Sequence, residues 1–169
     1  MTKKVVKKIK KASYGFTLIE ILVTIGLISI IVTSSYVVFT RFNRQQAIST
    51  AYENLKNTLN EAKSNASSQV VKDCTNILVG YQISFFTDPS RYSLYEICQV
   101  PGESPTAISP PVKTITLPES ITLDYSRPQD FIRFLILSNS VLNSGRITLT
   151  NGNASQNKII DVSPEGVIE

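Results

Sequence analysis

The chain has 169 residues, 42% apolar and 18% charged, a globular balance with room for one ordinary domain and an appendage. It contains no histidine, which excludes imidazole general acid/base chemistry, Ser-His-Asp and Cys-His nucleophiles, and imidazole metal ligation. The formal charge of +4 comes from the first eleven residues, where Lys3, Lys4, Lys7, Lys8, Lys10 and Lys11 supply six of 17 basic side chains; the remaining 11 face 13 acidic ones, a net of −2.

Residues 16–39, FTLIEILVTIGLISIIVTSSYVVF, carry one charge, Glu20. At about 1.5 Å per residue, a helix of this length covers a hydrocarbon core of about 30 Å. A removable secretory signal has a shorter apolar run and a small-residue cleavage site after it, so this segment is expected to stay attached. The lysines on one flank place the N-terminus in the cytoplasm by the positive-inside rule, and the remainder is then exported. A plain single-span signal anchor is the competing reading.

Beyond Arg41 the composition turns polar, yet Ile48, Tyr52, Leu55, Leu59, Ala62 and Ala66 recur at steps of three and four. That is the period of an amphipathic helix. No Pro or Gly interrupts residues 27–79, so one continuous helix of roughly 50 residues, about 75 Å, is expected to end near Ser67 and Ser68. The apolar stripe requires a sheet to cover it. A coiled-coil dimer is the alternative, weakened by a short seam that uses Ala and Tyr.

All eight prolines lie beyond residue 88, in a half rich in β-branched and aromatic residues. Strands are predicted at Ile77 to Phe86, Tyr92 to Cys98, Val112 to Leu117, Ile121 to Tyr125, Phe131 to Leu137, Arg146 to Thr150, Lys158 to Val162 and Gly166 to Ile168. Asp88-Pro89-Ser90, Pro118-Glu119-Ser120, Asn151-Gly152-Asn153 and Pro164-Glu165-Gly166 have the chemistry of turns joining successive strands. The stretch Pro101 to Pro111 reads as a loop, because repeated proline denies a ladder its donors. The fold class is therefore α+β: a long N-terminal helix, with a transmembrane half and an amphipathic half, packed on a C-terminal antiparallel β-rich head. Its expected parts are a basic leader at 1–15, the apolar helix at 16–40, the amphipathic helix at 41–68 and the head at 69–169.

At the junction of leader and apolar run stands KKASYGFTLIE, a basic stretch ending in Gly15, then Phe16, Thr17, Leu18, Ile19 and Glu20. Here the chain resembles the type IV pilin and type II secretion pseudopilin family, whose precursors carry a Gly, then Phe, then a glutamate as the fifth residue after the cut. The resemblance implies cleavage between Gly15 and Phe16 by a prepilin peptidase and methylation of the new Phe16 amine. It also implies a structural role: a subunit of a type IV pilus or pseudopilus that leaves the membrane with the help of an inner-membrane assembly platform. There it polymerises with copies of itself and other pilins, into an extracellular or periplasmic filament.

The residue types suit this chemistry. Gly15 lets a protease approach the backbone closely. A carboxylate inside an apolar span costs about 2.5 to 3.5 kcal/mol on insertion scales, so Glu20 needs a partner or a purpose. Cleavage creates a cation at the same end of the helix, the Phe16 amine, and the helix macrodipole also favours an acid in the first turn. The family role carried to Glu20 is assembly, by neutralising the amine of a neighbouring subunit. One departure stands out: many relatives have a proline within the apolar segment, whereas Val32 to Val37 has none, and only Thr33, Ser34 and Ser35 offer local softening. Gly26 is read as a close-packing position.

Cys74 and Cys98 are too few for a structural zinc site, and no metal or other cofactor is expected. In an oxidising compartment they are candidates for a disulfide, with two free thiols as the alternative. Arg91, Arg127, Arg133 and Arg146 are scattered, so nucleic-acid binding by a minor or tip subunit, like adhesion, is an alternative and not the favoured reading. The C-terminal pattern GRITLTNGN…NKIIDVSPEGVIE is similar to the last strands of H-type minor pseudopilins. Asp124 with Asp130 and Asp161 with Glu165 are the only carboxylate pairs to weigh for catalysis. Turn chemistry explains all four, and no catalytic residue is assigned.

Overall fold

A computed structural model describes residues 16–169 apart from Ser109, 127–129, Asn139 and 153–155. The leader, Gly15, Arg127 and Asn153 thus lie outside the described residues. The chain divides into two compact units, one ending at Arg41 and the other running from Phe42 to Glu169.

Helix α1 spans Leu18–Ser67 without a break, including Val32 to Val37. Thr17 precedes it as an N-cap, its hydroxyl accepting the Glu20 N–H at 3.3 Å and its carbonyl accepting the Ile21 N–H at 3.2 Å. The helix closes on a Schellman arrangement: Gln69 stands at φ 51°, its N–H donates to the Ala66 carbonyl, and the Val70 N–H donates to the Asn65 carbonyl. Glycine is the usual residue at that left-handed position, so the sequence gives no sign of this cap.

In the second unit Ile48, Ala51, Leu55, Leu59, Ala62 and Ala66 are buried, and Tyr52 is half-buried. This is the stripe expected from the periodicity, with Ala51 in addition. Burying a side chain such as Leu55 or Leu59 is worth about 1.5 to 3 kcal/mol.

The stripe is covered by two antiparallel sheets. The larger contains β1 (Ile77–Phe85), β2 (Arg91–Gln99), β3 (Thr106–Ala107), β4 (Lys113–Thr116), β6 (Phe131–Leu135) and β7 (Val141–Leu142). Its order is β3-β2-β1-β6-β7, with β4 pairing β2 as well. The smaller contains β5 (Ile121–Tyr125), β8 (Gly145–Asn151) and β9 (Gln156–Val162) in the order β5-β8-β9. Tyr81, Ile83, Tyr92, Leu94, Ile132 and Phe134 from the first and Ile121, Leu123, Ile147, Leu149 and Ile160 from the second meet α1 in one core.

Several expectations need correction. Pro118-Glu119-Ser120 turns the chain between β4 and β5, but those strands lie in different sheets and do not pair. The stretch Pro101 to Pro111 holds a two-residue strand, β3, whose Ala107 pairs with Ile97. It fits because Thr106 and Ala107 keep their N–H groups between flanking prolines. Phe131 to Leu137 ends as a strand at Leu135, since Leu137 turns to φ 64° and the chain doubles back into the unexpected β7. Gly166 to Ile168 contributes only a bridge from Ile168 to Val162.

Candidate processing and assembly site

Phe16 is 78% exposed and lies just before α1. Glu20 is the acidic residue of the first helical turn, at the third helical position, where the positive end of the macrodipole favours a carboxylate. It has no ion pair among the described residues. Around and beyond it, Leu18, Ile19, Ile21, Leu22, Val23 and Ile25 are all exposed, and large apolar side chains remain so as far as Phe42. This first part of α1 is long and apolar enough to cross a membrane.

Its hydroxyls are suited to an apolar surrounding. Thr24 donates to the Ile21 carbonyl at 2.9 Å, Ser29 to the Ile25 carbonyl at 2.8 Å and Thr33 to the Ser29 carbonyl at 2.7 Å. Each of these three hydroxyls is thereby satisfied within the helix, as a dry environment demands. A Cβ on Gly26 would meet nothing within 4 Å, so any close packing at Gly26 would have to come from another molecule. Glu20 is the only charged residue between Phe16 and Thr40.

On the head, Cys74 and Cys98 are joined by a disulfide with Cα atoms 5.9 Å apart. Cys98 lies on β2 opposite Leu78, and Cys74 reaches it from the segment that follows α1. The same segment is held a second time by Glu96, a residue that the sequence reading did not single out. The residue is 1% exposed, and its carboxylate accepts the Lys72 N–H at 2.6 Å and the Asp73 N–H at 2.8 Å, with the Tyr81 hydroxyl 2.8 Å away. Burial pushes this carboxyl upward, but the donors from Asp73, Tyr81, Lys72 and Cys74 together hold it below the usual glutamate range. Burial, with Glu96 nearby, drives the Tyr81 phenol well above its ordinary value. The signal available in the sequence was phase: Glu96 sits in register with the inward Tyr92 and Leu94.

Among the described residues, Arg91, Arg133 and Arg146 each have partners of their own and do not converge on a common site. Arg91 lies 3.7 Å from Asp88, and Arg146 forks onto Asp161 at 2.9 and 3.1 Å. Arg133 donates to the Gln82 side chain. The carboxylates weighed for catalysis have structural explanations where partners are seen. The hydrogen bond from Arg146 lowers Asp161, and one from the Ser163 side chain lowers Glu165 in its turn. Asp124 is exposed on β5.

A family described as the prokaryotic N-terminal methylation motif matches residues 10–36. No curated protein and no solved structure matches the chain significantly. The matched stretch contains Gly15, Phe16 and Glu20, and a motif of this kind implies processing by prepilin peptidase. The chain therefore carries the N-terminal methylation motif typical of type IV pilins and pseudopilins, at the start of the long helix of an α+β pilin-like architecture.

Proposed function

We propose that the protein is a structural subunit of a type IV pilus or pseudopilus, cut between Gly15 and Phe16, methylated on the Phe16 amine and polymerised through the first half of α1. The observation that carries this reading is the pairing of the methylation motif with a helix whose large apolar side chains, among the described ones from Phe16 to Phe42, are exposed on every side. Such a surface needs a bilayer before assembly and a bundle of like helices after it.

Before cleavage the lysine-rich leader anchors the N-terminus on the cytoplasmic side, near anionic lipid, where the peptidase reaches the Gly15–Phe16 bond. After cleavage the new amine and Glu20 carry opposite charges at one end of α1. Within one chain Glu20 has the helix dipole and its own new amine at the same end of the helix. Between chains, the Glu20 carboxylate of one subunit neutralises the Phe16 amine of the next, which favours one axial stagger over others. The parts of the working molecule are then the cleaved leader 1–15, the filament-core helix 16–40, the amphipathic helix 41–68 and the exported head 69–169. The function is architectural, and the chemistry at Gly15 and Phe16 is performed on the protein by its peptidase.

Mass spectrometry of the protein recovered from its native host tests this directly. The expected N-terminus is methylated Phe16. An intact Met1 N-terminus would leave a plain membrane-tethered domain.

A further inference from the structure

Arg133 on β6 is a half-buried guanidinium with no carboxylate in ion-pair range among the described residues. Burial pushes it below its ordinary value, and no acidic neighbour compensates. Its Nε and Nη2 both donate to Oε1 of Gln82, at 3.0 and 2.7 Å, and its head lies 5.1 Å from the centre of the Phe131 ring. Gln82 is the cross-strand partner of Arg133 and of Tyr95, and all of these side chains lie on the face of the larger sheet turned away from α1.

The hydrogen bonds fix a direction. Because Arg133 engages the oxygen of Gln82, the amide nitrogen must point the other way, and it donates to Oγ of Ser84 at 2.8 Å. Ser84 is then an acceptor toward Gln82 and keeps its own proton to offer outward. The remaining guanidinium N–H groups do the same. Over the buried Gln82 side chain the result is a cluster in which donors outnumber acceptors, which suits an oxyanion, and a forked guanidinium suits a planar carboxylate best. The backbone of β1 is already paired on both sides, by β2 and β6, so a ligand on this face is read by side chains and not by strand addition. Half-buried Phe131 and Tyr95 flank the donors with ring surface.

We propose that Arg133, Gln82 and Ser84 form a binding site for the carboxylate of an acidic saccharide, with Phe131 and Tyr95 contacting the apolar face of the sugar ring. The site lies entirely on the head and does not depend on filament assembly.

The test is calorimetric titration of the full chain, in a nonionic detergent without a sugar headgroup, with trigalacturonate, with neutral maltotriose and with oligothymidylate. Trigalacturonate is expected to bind and maltotriose not. Gln82→Glu places a carboxylate against Arg133 and satisfies the guanidinium internally, so it should weaken trigalacturonate by at least about tenfold. Arg133→Lys keeps the charge but loses the fork and should weaken it similarly, which guards against misfolding of the first variant; near-ultraviolet circular dichroism checks both. No binding by the wild-type chain, equal binding of maltotriose, or binding undiminished in both folded variants would overturn the proposal. Oligothymidylate binding that matches trigalacturonate and depends equally on Arg133 would also overturn it, in favour of a phosphate polyanion.

Discussion

The Glu96 carboxylate and the Tyr81 hydroxyl stand 2.8 Å apart between paired strands, and the same hydroxyl lies 2.8 Å from the Val70 carbonyl. One phenolic proton serves two acceptors, so an ionised Glu96 is tied both to β1 and to the segment leaving α1. The carboxyl is held below its usual range in the fold. It therefore adds stability above the unfolded value of about 4.3 and loses that stability as pH falls through the folded value. We expect thermal stability of the wild type to drop on acidification below about pH 4.3, with a shallower drop for Glu96→Gln. At neutral pH the Gln variant should be less stable by about 2 kcal/mol, because its amide group cannot accept from both backbone donors. Denaturant melts across pH check both.

The disulfide between Cys74 and Cys98 closes a sequence separation of 24 residues. The chain-entropy account assigns such a loop about 3 kcal/mol. Cys74→Ser with Cys98→Ser should lower the denaturant midpoint accordingly. Because Glu96 anchors the residues immediately before Cys74, the combination with Glu96→Gln should depart from additivity. A double-mutant cycle measures that coupling.

Gly80 stands where β1 bulges against β2, and a Cβ there would lie 2.1 Å from the Phe134 carbonyl oxygen. That contact is with backbone, so it is not relieved by rotating a side chain. Gly80→Ala is expected to cost about 3 kcal/mol or to shift the pairing of β1 with β6, read as a loss of melting temperature and of slow-exchanging amides at Ile83 and Ile132.

For Glu20→Ala we expect normal cleavage, because the bond to be cut precedes it by several residues, and poor recovery in sheared filaments. The measurement is the ratio of processed protein in the membrane fraction to that in the filament fraction. Normal incorporation would show that the charge at this position is dispensable for assembly.

What the sequence made legible was what period and punctuation encode. The steps from Ile48 to Ala66 mark the buried stripe of α1, and β5 runs from Ile121 to Tyr125 as the alternation predicts. Sheet membership was not legible, because Pro118 and Ser120 specify a turn and not which partners the strands on either side will take. The Schellman cap was hidden because Gln69 occupies a position where glycine is the usual signal. Glu96 was hidden because a glutamate in a strand ordinarily faces water, and only the fold brings the Lys72 and Asp73 amides to meet it. At the N-terminus the situation is reversed: Gly15 lies outside the described residues, and the motif itself carries the reading.

The proposed maturation turns on one bond, Gly15–Phe16, and one amine, that of Phe16. Intact-mass and N-terminal fragment spectra of the protein purified from its host should show a chain beginning at methylated Phe16, with the six leader lysines gone. A chain that still begins at Met1, or any N-terminus other than methylated Phe16, would rule out this maturation.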